Sequence, residues 1–241
     1  MKKYLITGVS RGLGLEIAKT VAEGGGFVFG VSRTITPELE ALAGAFPNAV
    51  KLLQFDLADT RAVKEKIFAE FVGLSTKLDG YVNNAAVAYD DLATNIDEDK
   101  LGRMYAVNVF TPMIAAKYAI RNFILHETRG SIVHISSVCA KTGYKGLSMY
   151  ASTKGAIEAF SRGVAREWGA RGIRSNAVAA GFMQTAMSAS LGEEKMRKII
   201  SRSCLKAPVS PKSVAETAAF LLSEKSESIT GETISVDCGA V

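Results

Sequence analysis

The stretch "SMYASTK", residues 148–154, sets a tyrosine and a lysine four positions apart in a run of small residues that reads as the start of a helix. Residues i and i+4 share a helix face, so Tyr150 and Lys154 can point into the same space. A free phenol has a pKa of about 10 and gives up its proton reluctantly near neutrality. A neighbouring ammonium and a cationic nicotinamide ring would stabilise the phenolate and draw that value toward working pH. The pair alone is common on ordinary helices, and its surroundings decide. Upstream, "VHISSV" ends a strand-like run with Ser136 and Ser137, and Ser137 could hold a carbonyl oxygen as alkoxide charge develops. Tyrosine, lysine and serine together fit carbonyl reduction, which needs a hydride donor beside a proton donor.

A place for that donor stands near the N-terminus. "TGVSRGLGLEIA" (7–18) spaces Gly8, Gly12 and Gly14 where a strand gives way to a helical pattern. Glycines there permit a tight turn and let backbone N–H groups approach a pyrophosphate at the positive end of the helix. "FGVSRT" then follows the second strand, with Ser32 and Arg33 and no acid before Glu38. NAD-preferring folds commonly carry an acid near this point, whereas arginine accommodates a 2′-phosphate. Arg33 and Arg11 therefore favour NADP(H), although a solvated charge is the usual fate of a surface arginine.

These residues need elements to position them. Short β-branched or apolar runs recur at 4–8, 27–32, 49–55, 78–84, 131–136, 173–179 and 233–237, with longer helical stretches between. Thr36 before Pro37 and Ser210 before Pro211 read as helix starts. The alternation predicts an α/β fold, a single Rossmann-like doubly wound parallel sheet of about seven strands with helices on both faces. Such sheets bind ligands beyond the carboxyl ends of their strands, where strand order reverses. No linker, charge block or repeat interrupts the 241 residues, so one domain over 1–241 is expected.

With 48% apolar and 22% charged residues the chain can bury a large core. Neither an apolar leader nor an apolar run of the ~18 residues that span a bilayer is present, so a soluble, cytoplasmic protein without membrane partners is expected. Cys139, Cys204 and Cys238 lack metal or disulfide spacing. The formal charge of +5 is scattered, which gives nucleic-acid binding no support.

In this order and spacing, "TGVSRGLG", "NNAA" (83–86), Asn108 in "YAVNVF", Ser137 in "HISSV" and "YASTK" resemble the short-chain dehydrogenase/reductase family, over essentially the whole chain. The resemblance implies Tyr150 as acid/base, Lys154 as its tuner and ribose anchor, Ser137 as carbonyl binder and Asn108 in a water-linked proton relay. It further implies cofactor contacts from Gly8, Ser10, Arg11, Gly12, Leu13, Gly14, Ser32, Arg33, Asp56, Leu57, Asn84, Ala85, Met183 and Thr185. Plainer roles stand beside these: Asp56 capping a turn, Asn108 satisfying its own helix, Met183 filling core. Three positions depart from the family pattern: Ala86 and Cys238 replace glycine, and Ala180 replaces proline. They put cofactor fit and the rigidity of a lid over about 182–206 in question.

Among the family's branches the chain is most similar to the beta-ketoacyl-acyl-carrier-protein reductases. That similarity implies an acyl-carrier contact at Arg171 and near Arg129, residues that read equally as solvated charge. The lid mixes methionines with Lys195, Arg197, Lys198 and Arg202, which suggests an apolar substrate entering past a basic rim. A free small ketone or polyol is the alternative substrate, and a non-catalytic NADP-binding subunit is the alternative class. Apolar residues on more than one face of the helices near 100–125 and 150–169 predict a homodimer or homotetramer.

Overall fold

The protein is described from a computed structural model that covers residues 1–184 and 192–241. Seven strands form one parallel sheet: β1 (Lys3–Thr7), β2 (Phe27–Ser32), β3 (Val50–Gln54), β4 (Gly80–Asn83), β5 (Ser131–Ser137), β6 (Arg174–Ala180) and β7 (Thr233–Val236). Their order is β3-β2-β1-β4-β5-β6-β7. Helices α1 (Gly12–Glu23), α2 (Pro37–Ala45), α3 (Glu98–Tyr105), α4 (Thr111–Leu125), α5 (Ser148–Trp168), α6 (Glu193–Ile200) and α7 (Pro211–Leu222) connect them. Two π-helical stretches, Val63–Gly73 and Ala106–Phe110, complete the connections.

The central strands are apolar on both faces because helices cover both. On one face Ile17 and Val21 of α1, Leu39 of α2 and Val214 and Leu221 of α7 pack against β1 and β4 to β6. Across the sheet, Ile67 and Phe71 of the first π-helical stretch, Phe123 of α4 and Val164 of α5 pack with Leu5, Tyr81 and Ile132. β7 forms an edge and is only partly buried.

The helix starts follow the sequence with one difference. Thr36 caps α2 by accepting from Leu39 N–H at 3.4 Å, with Pro37 in the first turn. Ser210 precedes Pro211 at the start of α7, but its hydroxyl makes no capping bond.

Strand order reverses at β1, which has β2 on one side and β4 on the other. The connections leaving β1 and β4 diverge there and open a crevice at the carboxyl edge. Thr7 joins the two strand ends: its hydroxyl donates to Val82 O at 3.3 Å and accepts from the N–H groups of Asn84 and Ala85 at 3.2 and 3.3 Å.

Candidate active site

The crevice wall at β1 is a turn that only glycine can make. Gly8 and Gly12 have φ of 77° and 57°, in the left-handed region. A Cβ on Gly8 would come within 2.7 Å of Ala85 Cα, and one on Gly14 would collide with the Gly8 carbonyl. Buried Leu13 anchors the first turn of α1, while Arg11, in extended backbone just before it, is exposed. The free N–H groups at the start of this twelve-residue helix, which begins at Gly12, thus face the crevice.

Asn84 stands behind the turn: its amide donates to the carbonyls of Thr7 and Gly8 at 3.0 and 3.1 Å. Its side chain shapes the loop, and Ala85 beside it faces the same turn. A contact absent from the sequence reading adds to this, as the Thr36 hydroxyl donates to Ser10 O at 2.6 Å. One threonine therefore caps α2 and tethers the glycine loop.

Ser32 is buried and bonded to Thr34 O at 2.9 Å, so it shapes the end of β2, where Arg33 is exposed. Asp56 accepts from Ala58 N–H at 3.0 Å and from the Arg103 guanidinium at 2.9 Å. These bonds, that to Ala58 first, hold its carboxyl below the ordinary value, and Arg33 adds to them. It thus caps a turn and anchors α3 together. Arg103 comes from 47 residues away and carries no sequence signal. Buried Leu57 offers its carbonyl to Thr111 Oγ1 at 2.6 Å.

The catalytic candidates meet at the ends of β4 and β5. Tyr150 and Lys154 lie in the first two turns of α5, and Lys154 Nζ sits 5.6 Å from the centre of the Tyr150 ring. Lys154 is 4% exposed, and its ammonium donates to Ile135 O at 2.8 Å. Burial pushes its pKa down to about 8, partly offset by Cys139 and Glu158. The Tyr150 phenol is pushed up, by burial first and then by Cys139 and Asp90. The lowering expected from the lysine together with a nicotinamide ring is a matter for the cofactor complex; in the protein by itself, desolvation of the phenolate dominates. Ser137 Oγ accepts from Cys139 N–H at 3.2 Å, and its hydroxyl also interacts with the Cys139 thiol.

Asn108 lies in the π-helical turn, a feature frequent at functional sites. Its amide spans elements rather than serving its own helix: Oδ1 accepts from Val87 N–H at 2.9 Å, and Nδ2 donates to Val87 O and to Thr153 Oγ1 at 2.8 and 3.1 Å. It pins the segment after β4 to α5, one residue from Lys154. Met183, just beyond β6, packs on the core face of α1 and α7. Thr185 lies outside the described residues.

Of the three departures only Cys238 carries backbone strain, at φ 57°. Ala180 is buried and paired with Ser137 and Val236, so the chain stays in the sheet through it. On α6, within the segment expected to form a lid, Arg197 and Lys198 pair with Glu193 and Glu194 at 3.4 and 2.7 Å, so these two do not form the bare basic rim expected. Arg129 and Arg171 are exposed beyond the opposite end of β5, where the Arg129 side chain lies against Gly172, the residue after Arg171, so that a Cβ there would lie 2.9 Å from Arg129 Cγ.

A glycine turn at a helix N-terminus with a phenol, an ammonium and a hydroxyl at the same sheet edge is the arrangement of an oxidoreductase that interconverts carbonyl and hydroxyl groups. The chain belongs to the short-chain dehydrogenase/reductase family. The family model described as Enoyl-(Acyl carrier protein) reductase matches residues 8–241. The chain is 33% identical to the 3-oxoacyl-[acyl-carrier-protein] reductase FabG of Escherichia coli K12, covering 99% of this chain and 96% of that one. It is 31% identical to the L-xylulose reductase of Bos taurus over the same shares. A Beutenbergia cavernae structure assigned as an NAD(P)-dependent gluconate 5-dehydrogenase, with NADP bound at low occupancy, superposes with a TM-score of 0.91 at 25% identity, covering 99% of this chain and 96% of that one.

Proposed function

We propose that this protein reduces a ketone to a secondary alcohol with NADPH, the preferred substrate being a beta-ketoacyl thioester on an acyl carrier protein. The observation that carries the reading is the buried Lys154 ammonium held against Tyr150 at the carboxyl edge of the sheet, across from the glycine turn. The residues present fit the cofactor: the amide end of α1 at the glycine turn would hold the pyrophosphate, and the exposed Arg33 and Arg11 would hold a 2′-phosphate. The NADP in the Beutenbergia cavernae structure supports this choice. NADPH supplies the hydride when bound.

The rest is the work of side chains. Ser137 donates its hydroxyl proton in a hydrogen bond to the substrate oxygen, exchanging its contact with Cys139 for this one, and the bond strengthens as that oxygen gains charge. Tyr150, kept protonated by its buried setting, delivers a proton to the same oxygen as the alcohol forms. Lys154 stabilises the phenolate left behind and offers its remaining N–H groups to ribose hydroxyls. Asn108 keeps the loop after β4 fixed to α5, so the crevice holds its width.

The acyl-carrier preference rests on similarity to FabG over nearly the full chain and is supported by two exposed arginines on neighbouring segments, Arg129 against Gly172 and Arg171 just before it. A free small ketone is the second reading, supported by the similarity to L-xylulose reductase. NADPH oxidation followed against carrier-bound and free ketones tests both. Carrier thioesters should give the highest kcat/KM, and a clear preference for a free sugar ketone would overturn the first reading.

A further inference from the structure

Three charged side chains are buried among the described residues: Lys154, Glu158 and Asp237. Asp237 is accounted for by the N–H groups of Gly239, Ala240 and Val241, which it accepts at 3.0 to 3.2 Å. Glu158 has no such task. It is 6% exposed, lies one turn beyond Lys154 on the same face of α5, and accepts the Ser136 hydroxyl at 2.7 Å. Lys154 itself reaches the carbonyl of Ile135, the residue next to Ser136. The two side chains thus clamp α5 onto successive residues of β5, cation beside anion, without a direct ion pair.

A lone ammonium in this setting is unfavourable, because burial penalises its charged form. The groups facing it are few. His134 on β5 is fully buried, its pKa held down to about 3 by burial and then by Lys154, and is therefore neutral. Tyr150 on α5 and Cys139 in the turn after β5 are pushed toward their neutral forms by burial. Asp90, in the loop after β4, acts on Tyr150 and Cys139. That leaves the Glu158 carboxylate as the buried fixed charge on the lysine's own helix face.

We propose that Glu158 is a positioning residue that keeps Lys154 protonated at working pH, and so keeps the proton donor Tyr150 tuned. This rests on the functional reading above, in which Lys154 acts as an ammonium. It gives Ser136 and Ser137 separate duties on opposite faces of β5: one ties α5 to the strand, the other meets the substrate.

The test separates charge from clamp. E158Q keeps an oxygen for Ser136 but removes the charge, whereas S136A keeps the charge and removes the clamp. The pH dependence of kcat/KM for NADPH-linked reduction and of the NADPH dissociation constant, read by nucleotide fluorescence, would be measured for each. With E158Q both should weaken at a pH lower by about one unit or more than in the parent, because a lysine of lower pKa loses its proton earlier as pH rises. S136A should keep the parental profile while losing stability. Parental profiles in E158Q, or an equal shift in S136A, would overturn the proposal. If E158Q does not fold, Glu158→Met, apolar and of similar length, carries the same expectation; failure of both alongside a folded S136A would mean the charge serves the fold, and would also overturn it. Should no ketone turn over, the NADPH binding arm still reads Lys154, so failure of the functional reading is told apart from failure of this one.

Discussion

Tyr150 is kept neutral by its surroundings and Lys154 is held at the edge of neutrality, and the two shifts have different consequences. Tyr150→Phe deletes only the proton donor; reduction should fall by about a hundredfold or more while NADPH affinity, measured by fluorescence, stays close to parental. Near-parental turnover would disprove the assignment. The lysine predicts a pH dependence. Its ammonium is present below a pKa of about 8 and is lost as pH rises through it, so reductive kcat/KM should hold at lower pH and decline above about 8. Cys238 makes a prediction of a different kind. A left-handed non-glycine residue costs about 1–2 kcal/mol, partly offset by glycine's greater freedom in the unfolded chain. Cys238→Gly should therefore stabilise the protein by about 0.5–1 kcal/mol, read as a higher denaturant midpoint; no change would show that the turn is relaxed as it stands.

The elements that deliver these residues were largely legible in the sequence. Each of the seven β-branched runs is a strand, with ends displaced by a residue or two, because parallel strands covered on both faces must be apolar throughout. What stayed hidden is what long-range contact decides. The π-helical turn at 106–110, the tether from Thr36 to Ser10 and the pairing of Asp56 with Arg103 join residues whose separations carry no periodic signal. Asn108 was legible as important, but its partners Val87 and Thr153 lie on the loop after β4 and on α5 rather than along its own helix. At the end of β2 the reading leads to an experiment. Arg33 is exposed, and the second strand ends without an acid. Arg33→Asp should repel a 2′-phosphate and accept from a 2′-hydroxyl, lowering the preference for NADPH over NADH by about tenfold or more. Retained NADPH selectivity would move the credit to Arg11.

At the scale of the whole molecule, α5 raises a question of distance. Tyr150 lies in its first turn and Arg171 just past its end, and 21 residues at about 1.5 Å each set them some 30 Å apart. Phe110, Ile124 and Leu125, exposed at the two ends of α4, and the glycines at 155 and 163 of α5, around which a side chain would meet open space, leave these helices smooth and partly apolar on their outer side. A two-fold pairing of such helices buries that surface, and symmetric closure is the common outcome for soluble assemblies. We therefore expect light scattering at micromolar concentration to give a dimer or tetramer, and a mass near 25.6 kDa would refute it. If the helices pair antiparallel, the arginines of one copy come to lie beside the tyrosine of the other, and a carrier docked on one subunit serves its neighbour. Co-expression tests this directly, with one chain carrying Tyr150→Phe and the other Arg129→Glu and Arg171→Glu. Each alone should be inactive on carrier thioesters, the first for want of a proton donor and the second for want of a dock. Random pairing into dimers restores a complete site, tyrosine from one chain and arginines from the other, in about a quarter of positions, and a similar fraction of parental activity should return. Mixed assemblies that stay inactive would place carrier and tyrosine on the same subunit.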